Sequence, residues 1–411
     1  MANAKAIKNA MEEALAGIKP EKTKVMEADE FLKKVKGRIK KLKISARAAA
    51  GGSIAKGTFL KEDHDVDVFV KFSLKYKDKN LSKLLKKILS PFKPDTIHGS
   101  RDYFSVKNRL DFEIIPVLDI KKPEDARNVT DFSPLHVDWF LKNGKGLGDD
   151  VRLAKKFCKA CNVYGAESYI QGFSGHVLDI LIAYYKGFVP LLKASLKWKP
   201  KEVIDFYKIH KGRALFELNK SKTQGSLIVV DPVQPDRNAA AAVTEEKFNA
   251  FIESARKFLK NPSSSFFTEK KIDKESLKKK GAIVLQAEPK KGKEDIAGAK
   301  LMKAFEFIGK SLDNFGFGVK KSGWKWDKKK NAVFWAIPKL NKLPAKLEWE
   351  GPPLHMENRV KEFKKKYKKT FKRKGRIYAE IKRKHTTPES LVKELIKKKY
   401  FTDRVKKCSI Y

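Results

Sequence analysis

A short acidic pattern that follows a glycine–serine pair constrains this chain more than any other feature of its sequence. Gly52-Ser53 is followed, after eleven residues, by Asp65-Val66-Asp67. The segment DVDVFVKF, residues 65–72, begins with strict alternation of polar and apolar residues, which predicts a β-strand. Residues i and i+2 of a strand share a face, so the two carboxylates project together. They repel each other unless a cation lies between them, and the pattern favours Mg²⁺.

The loop before this strand carries groups suited to a phosphate. Glycine at the turn lets backbone N–H groups approach an anion closely, and the Ser53 hydroxyl adds a further donor. Lys56 lies on the same loop and supplies a positive charge. The loop and the strand together predict a site for a phosphorylated ligand and a metal.

A second acidic strand would complete that site. The segment LDFEIIP, residues 110–116, places Asp111 and Glu113 two residues apart and therefore on one face. A third carboxylate would allow two metal ions about 3.5–4 Å apart, an arrangement that supports in-line phosphoryl transfer. The alternative is an edge strand with solvated acids and a glycine turn that closes a hairpin. The glycine–serine pair, the strand pattern and the second acidic strand together favour the catalytic interpretation.

The charge balance indicates a polyanionic partner. The chain has 411 residues, with 92 Lys plus Arg against 49 Asp plus Glu, and a formal net charge of +43. This excess favours nucleic acid or an anionic membrane surface. The most apolar stretch, residues 177–190, contains Asp179 and Lys186 and is too short to span a bilayer. The N-terminus lacks the apolar core of a signal peptide, so we expect a cytoplasmic protein without a membrane segment.

Length and periodicity predict an α/β (α+β) protein of several domains. A mixed α/β unit is expected over residues 1–137, with a helix at 27–44, and a mainly helical unit over 138–262. A further α/β unit is expected over 270–411, whose internal boundary the pattern leaves open. Pro262 and the three serines after it mark the expected linker. From Met356 onward Lys and Arg dominate, which predicts a basic tail.

A series of motifs in fixed order resembles one enzyme family. The motifs that carry the resemblance are GGSIAKGTFL-x4-DVDVFVKF (51–72), SPLH (133–136), DDVRLAKKF (149–157), VYGAE (163–167), GFSGH (172–176), VVDPVQPDRN (229–238), KNPSSSFF (260–267) and WEGPPL (349–354). They are similar to those of the archaeal-type, class I CCA-adding enzymes, tRNA nucleotidyltransferases of the polymerase-beta-like superfamily. The resemblance implies a nucleotidyltransferase head, a mainly helical neck that recognises the nucleotide, and an α/β RNA-binding body with a basic tail.

The resemblance also implies a reaction. Enzymes of this family add C, C and A in sequence from CTP and ATP to the tRNA 3′ end, without a nucleic-acid template, and release pyrophosphate. In this chain Asp65 and Asp67 would hold Mg²⁺. Glu113 stands three residues before Pro116, where the family usually has Asp, and is the expected third carboxylate, with Asp111 as the fallback.

Six further residues match nucleotide-binding positions of the family. Ser53 and Lys56 would contact the triphosphate. His136, Lys155 and Tyr164 match positions around the triphosphate and sugar, and Arg237 matches the arginine that contacts the base.

Each of these assignments has a structural alternative. His136 could cap a helix, Tyr164 could be a core residue, Lys155 could belong to a solvated face, and Arg237 could belong to a surface turn.

The sequence departs from the family pattern at three places. We expect these departures to affect the strength of the nucleotide contacts more than the type of reaction. Phe132-Ser133 replaces an Arg-Thr pair, His176 replaces a tyrosine, and Asp179 replaces a glutamate.

The expected RNA partner is tRNA, bound through its acceptor stem and TΨC arm. Basic runs after residue 360, interleaved with aromatic residues, would contact phosphates and exposed bases. The resemblance is also compatible with a homodimer. The rival functions are a poly(A) polymerase, an enzyme that adds only part of CCA, and a non-catalytic tRNA-binding protein.

Overall fold

The computed structural model describes residues 2–269 and 271–411 and divides into two compact units, Met1–Lys270 and Lys271–Tyr411. The mixed α/β, multidomain class predicted from the sequence is confirmed. No helix among the described residues is long and apolar enough to cross a membrane. The internal divisions expected at residues 137 and 262 stay predictions.

The first unit opens with two helices and a five-stranded sheet. Its elements are α1 (Ala2–Ile18), α2 (Lys22–Lys41), β1 (Ala46–Ala50), α3 (Gly52–Ala55), β2 (Asp65–Phe72), α4 (Leu81–Leu89), β3 (Asp95–Ile97), β4 (Tyr103–Lys107) and β5 (Asp111–Leu118). The strand order is β1-β2-β5-β4-β3. The β2–β5 pair is parallel and the other three pairs are antiparallel.

The core of this sheet follows from the apolar positions of β2, β5 and the two helices that cover them. Phe31 and Val35 of α2 are buried, and the Phe31 ring stacks on the Phe112 ring of β5 with centroids 3.9 Å apart. Helix α4 begins where the Asn80 side chain accepts a hydrogen bond from the Lys83 N–H at 2.9 Å. The carboxylate-bearing strands are therefore held between packed neighbours.

The rest of the first unit is mainly helical. It contains α5 (Phe132–Asn143), α6 (Gly148–Ala160), α7 (Gly175–Tyr185), α8 (Phe188–Ser195), β6 (Glu202–Ile204), α9 (Ala214–Glu217), β7 (Leu227–Val229) and α10 (Glu245–Lys260). Aromatic rings fill its core, with the Phe157 ring 5.6 Å from Phe188 and 5.9 Å from Phe251. The buried face of α1 lies in this core and not under the sheet.

Two local expectations differ from the structure. The helix expected at 27–44 is α2, which begins at Lys22 and ends at Lys41. The segment expected as a linker is packed: Ser263 caps a 3-10 turn, Ser264–Phe267, and Phe267 is buried in the helical core. Two adjacent aromatic residues after the serines supply enough apolar surface to hold the turn in place.

The second unit is built on two sheets. Its elements are α11 (Lys274–Lys279), β8 (Ile283–Pro289), α12 (Glu294–Asn314), β9 (Val319–Trp326), β10 (Ala332–Pro338), β11 (Lys346–Pro353), α13 (Glu357–Lys366), β12 (Thr370–Arg373), β13 (Arg376–Lys382), α14 (Pro388–Leu395), α15 (Lys399–Thr402) and β14 (Val405–Ile410). The strand orders are β14-β8-β10-β9 and β11-β13-β12. Helix α12 packs on the four-stranded sheet through buried residues such as Leu301 and Leu312.

The basic region after Met356 is folded and not an extended tail. Ile377 and Ala379 alternate along β13 with outward polar residues, and both are fully buried. The last strand, β14, pairs with β8 and buries Val405. Apolar residues at strand and helix spacing supply inward faces between the lysines, so the cations stay at the surface while the segment joins the core.

Candidate active site

Four carboxylates predicted from the sequence come together on one face of the first sheet. In the parallel pairing of β2 with β5, Asp65 lies opposite Asp111 and Asp67 lies opposite Glu113. Adjacent strands lie about 4.8 Å apart, so each acid has a carboxylate neighbour both along its strand and across to the next one. Asp65 is exposed, while the other three are half-buried at the edge of the core.

The electrostatics of this face fit a divalent cation. Burial raises the pKa of Glu113 to about 7, and the charges of Asp67, Asp65 and Asp111 add to the shift. Burial also raises the pKa of Asp67; Asp65 adds to this shift, and the charges of nearby lysines oppose it. Mg²⁺ binds ionised carboxylate oxygens. A dication between these crowded groups would offset the repulsion that contributes to their raised pKa values.

The glycine–serine loop is pressed against the second of these carboxylates. The Gly51 N–H donates to the Asp67 carbonyl oxygen at 2.8 Å, and Gly52 has a φ of +48°. A β-carbon on Gly52 would lie 1.7 Å from Asp67 Oδ2, so only glycine fits at this position. The close approach places Ser53 and the short helix α3 beside the acidic face.

A buried ion pair fixes the lysine of the same loop. Lys56 Nζ donates to Asp179 Oδ2, and both side chains are shielded from solvent. The other carboxylate oxygen of Asp179 is buried and has no hydrogen-bond partner. Asp179 therefore holds Lys56 through one carboxylate oxygen, and its other oxygen could still accept a hydrogen bond.

The second predicted lysine lies in the same region. Lys155 is 4% exposed, and its Nζ donates to the Thr58 carbonyl oxygen at 3.1 Å and to Thr58 Oγ1 at 3.2 Å. Burial lowers the pKa of Lys155 to about 8; the charge of Asp179 opposes this shift and that of Lys56 adds to it. Two buried cations at close range favour a bound anion, because an anion offsets both burial and repulsion.

Tyr164 borders the same region. A β-carbon on Gly175 would lie 3.3 Å from the Tyr164 hydroxyl and 3.6 Å from Lys155 Cε, so the tyrosine and the lysine converge on the start of α7. Burial raises the pKa of Tyr164, and the charges of Asp63 and Asp179 add to the shift, so the hydroxyl stays protonated.

A second cluster is organised by a buried aspartate. Asp231 Oδ1 accepts from His136 Nε2 at 3.1 Å, and Oδ2 accepts from His176 Nε2 at 3.2 Å and from Arg237 Nη1 at 3.0 Å. Asp231 is fully buried, and its Oδ1 also accepts from the Val233 N–H at 2.9 Å. Burial would raise the pKa of Asp231, but hydrogen bonds from the two histidines outweigh it and hold the pKa well below its usual value.

The histidines of this cluster contact each other as well. The His136 and His176 ring centroids are 4.1 Å apart. Burial lowers the pKa of His136; the hydrogen bond with Asp231 opposes the shift and the charge of His176 adds to it. The histidine nitrogens and the carboxylate lie within 4.8 Å of one another, a spacing that a metal could use. The Arg237 guanidinium already pairs with this carboxylate, so its negative charge is partly neutralised within the cluster.

The first turn of α7 joins the two clusters. Ser174 caps this helix by accepting from the Val177 N–H at 3.2 Å. His176 faces the Asp231 cluster, and Asp179, three residues later, pairs with Lys56. The free N–H groups and the dipole of a helix N-terminus favour an anion. The N-terminal end of α7 thus contacts both the region of the two lysines, Lys56 and Lys155, which we call the cationic region, and the Asp231 cluster.

The structure decides between the placements that the sequence left open. His136 lies inside α5 and is no cap, since α5 begins at Phe132. Lys155 is buried and not on a solvated face. Tyr164 is partly buried and packs against the helical core, as its alternative expected, and Arg237 is half exposed but bound to Asp231.

Four residues around the site were not assigned from the sequence. Asp231 stood inside a quoted motif and Asp179 was noted only as a departure from the family pattern, both without a partner, and Thr58 lies two residues after Lys56 on the loop. Tyr103 of β4 gave no signal: its pKa is raised by burial and by the charges of Glu113 and Asp67, which places it beside the acidic face. Acids among basic and histidine-bearing motifs were the signal for the first two.

Three family models match consecutive parts of the chain. A nucleotidyltransferase domain matches residues 32–129. The second domain of tRNA nucleotidyltransferase matches residues 149–268, and the C-terminal domain of CCA-adding enzymes matches residues 280–408.

Curated relatives cover most of the chain. A CCA-adding enzyme of Nanoarchaeum equitans is 38% identical over 337 residues, which are 80% of this chain and 82% of the relative. A CCA-adding enzyme of Methanosarcina mazei is 29% identical over 388 residues, 89% of this chain and 83% of the relative. The structure of Cid1 in complex with its short product ApU has a TM-score of 0.51 at 14% identity, covering 66% of this chain and all of that one; it shows the fold alone.

The contact between Gly52 and Asp67 predicts a specific effect of substitution. Both Gly52 and Gly57 have positive φ, +48° and +64°, but a β-carbon on Gly57 meets nothing within 4 Å. Gly57→Ala should cost only the backbone strain, about 1–2 kcal/mol of unfolding free energy. Gly52→Ala should cost more and should also displace the Asp67 carboxylate. Denaturant unfolding of the two variants measures the difference; equal losses would contradict the described contact.

The shifted pKa of Lys155 predicts a pH dependence of anion binding. A lysine with a pKa of about 8 loses its charge as the pH rises through that value. Affinity for CTP, measured by calorimetry with EDTA present, should therefore fall above pH 8 by up to about tenfold per pH unit. Lys155→Gln should bind more weakly but with a flatter profile, whereas Lys156→Gln, next to it, should keep the wild-type slope. An unchanged slope in Lys155→Gln would contradict the assignment.

Proposed function

Because the chain belongs to the family of CCA-adding enzymes, which are nucleotidyltransferases, we propose that it completes the 3′ end of tRNA by adding C, C and A from CTP and ATP. Addition proceeds without a nucleic-acid template and releases pyrophosphate. The observation that carries this proposal is the register of β2 and β5, which brings Asp65, Asp67 and Glu113 to one face beside the glycine–serine loop.

Asp65, Asp67 and Glu113 would hold Mg²⁺. When bound, the metal would polarise the phosphoryl oxygens and favour ionisation of the attacking 3′-hydroxyl. Two observations favour Glu113 over Asp111 as the third ligand. Glu113 lies opposite Asp67, which is more buried than Asp65. Among the neighbouring charges, that of Asp67 contributes most to the raised pKa of Glu113. Asp111 lies opposite the exposed Asp65.

The cationic region would bind the triphosphate. Lys56 and Lys155 supply charge, Ser53 supplies a hydroxyl beside the acidic face, and the N-terminus of α7 adds N–H groups. Asp179 orients Lys56, and its charge opposes the lowering of the Lys155 pKa by burial. Tyr164, which stays protonated, is placed to donate to a phosphate or sugar oxygen.

The Asp231 cluster would contact the base and sugar. Arg237 offers a planar set of donors to acceptor atoms of cytosine or adenine, and Asp231 fixes its orientation. His136 is held by the same carboxylate and faces the sugar and triphosphate end. His176 stands where the family has a tyrosine; its ring contacts that of His136 at a tilt of 41°, so it keeps an aromatic ring at this place and adds a hydrogen bond to Asp231.

The second unit, over residues 270–411, would bind the acceptor stem and TΨC arm of tRNA. Its basic residues stay at the surface because the apolar positions between them form the core. We retain the division into a head (1–137), a neck (138–262) and an RNA-binding body, a cytoplasmic location and a homodimer as parts of this proposal.

The reaction is tested with three tRNA substrates that end before CCA, after C and after CC. We expect each to be completed to CCA in the presence of Mg²⁺, CTP and ATP, and addition to stop at CC when ATP is left out. Sequencing of the products reads out the result. A long A tail would favour a poly(A) polymerase. Addition of only C or only A would favour an enzyme that adds part of CCA, and no incorporation would favour a non-catalytic tRNA-binding protein. Asp67→Asn should abolish addition while tRNA affinity stays near the wild-type value.

Matched carboxylate variants test the third ligand. Loss of a metal ligand costs more than loss of a residue that merely supports one, so Glu113→Gln should lower kcat by more than about 100-fold. Asp111→Asn, two residues away on the same face, should lower it by less than about tenfold. Single-turnover rates at several Mg²⁺ concentrations measure both; a larger loss in Asp111→Asn would exchange the two roles.

A further inference from the structure

The 205–222 segment, which lies between β6 and β7 and contains α9, presents an unusual surface. Phe216 is 87% exposed, more than any other large apolar side chain in the described part of the chain. Tyr207, Ile209 and Leu215 of the same segment are exposed as well, at 39–48%. A single exposed apolar residue needs no explanation, but four in one short segment form a patch.

Phe216 is presented by a rigid support. Ala214 and Leu218 are four residues apart on α9 and its end, and both are buried in a small core with Ile228 and Val230 of the β7 region. Residues i and i+4 share a helix face, so Phe216, midway between them, points away from that core. Its exposure follows from the geometry of the turn and not from a loose chain.

Ion pairs brace the same turn. His210 Nδ1 lies 2.6 Å from Glu217 Oε2, and Arg213 Nη2 lies 2.9 Å from Glu217 Oε1. Burial would lower the pKa of His210, but the hydrogen bonds with Glu217 and with the Pro235 carbonyl oxygen, together with the charges of Asp205 and Glu217, raise it. The carboxylate of Glu217 is thus occupied by cations of its own segment.

The charge of the segment is positive. It carries five cations, Lys208, Lys211, Arg213, Lys220 and Lys222, against the two acids Asp205 and Glu217. Asp205 accepts from the His210 N–H at 2.9 Å, so both acids serve internal contacts. An exposed aromatic ring on a segment with a net positive charge is complementary to a polyanion with exposed bases.

The segment is bound directly to the loop that carries Arg237. His210 Nε2 donates to the Pro235 carbonyl oxygen at 2.9 Å, and Lys222 Nζ donates to the Asp236 carbonyl oxygen at 2.5 Å. The Asn238 side chain donates to the Lys222 carbonyl oxygen at 2.8 Å. These bonds are made by the residues on both sides of Arg237. They therefore link the position of Phe216 to that of the Asp231 cluster.

We propose that Phe216 stacks on an unpaired base near the 3′ end of the RNA substrate, while the surrounding lysines and Arg213 contact its phosphates. This inference rests on the proposed function and adds an RNA contact within the first unit, next to the nucleotide cluster. Stacking on an aromatic ring does not depend on base identity, which suits a 3′ end whose terminal base changes as it is extended. The charge of the patch favours RNA over a protein partner.

The test measures RNA binding without catalysis. A fluorescent minihelix of acceptor stem and T arm is prepared in two forms, one with unpaired nucleotides at its 3′ end and one with a blunt end. Anisotropy titrations of the full-length protein without nucleoside triphosphate give the affinities. Phe216→Ala should weaken binding of the overhanging RNA about tenfold and leave the blunt RNA within twofold, since stacking on one base is worth about that factor. Phe216→Trp should restore the affinity.

Leu215→Ala is the matched control on the same turn. It removes exposed apolar surface without an aromatic ring, and both affinities should stay within twofold of wild type. Binding of the overhanging RNA by Phe216→Ala within twofold of wild type would overturn the proposal. So would equal losses on both RNAs, or an equal loss in Leu215→Ala, which indicates a general apolar contact. If the wild-type protein adds nucleotides and Phe216→Ala binds normally, only this inference fails; if the wild type neither binds nor extends RNA, the proposed function fails as well.

Discussion

Repulsion between carboxylates is the physical constraint on which the arrangement of the first unit depends. Parallel pairing of β2 with β5 brings four acids into register, and both Asp67 and Glu113 have raised pKa values because burial and like charge disfavour their ionised forms. The glycine loop packs against the Asp67 carboxylate from one side. Like charges brought this close repel each other, and a cation bound between them would offset the repulsion. The packed helices α2 and α4 and the antiparallel neighbours of the sheet hold the strands against that repulsion.

Near the acidic face, Lys56 and Lys155 form a region with an excess of positive charge. Lys155 is buried with a pKa lowered to about 8, and Lys56 is held by an aspartate that has an unused oxygen. The acidic face therefore favours a cation and the lysine region an anion. A metal-bound triphosphate carries both charges in one ligand, and the two regions are complementary to it only together. The Asp231 cluster is different in kind, because its charges are already paired and its role is to orient side chains.

Sequence reasoning succeeded where a pattern has a local cause. Strand alternation predicted β2 with its acids on one face, and the resemblance in ordered motifs identified the family. It did not predict β1, a run of small residues with helical preference that becomes a strand because β2 offers it a pairing edge. Asp231 was visible in a motif, but its three side-chain partners come from α5, α7 and its own loop, and such long-range contacts leave no local signal. The packed turn at Ser264–Phe267 and the folded basic region were missed because composition suggested flexibility while a few apolar residues decided the packing.

The shared first turn of α7 has a consequence for how this protein can change over evolution. His176 and Asp179 are three residues apart on α7; His176 bonds to Asp231, and Asp179 bonds to Lys56. A substitution that shifts or tilts this turn would disturb both contacts at once, so under the roles proposed above base selectivity and phosphate binding could not evolve independently.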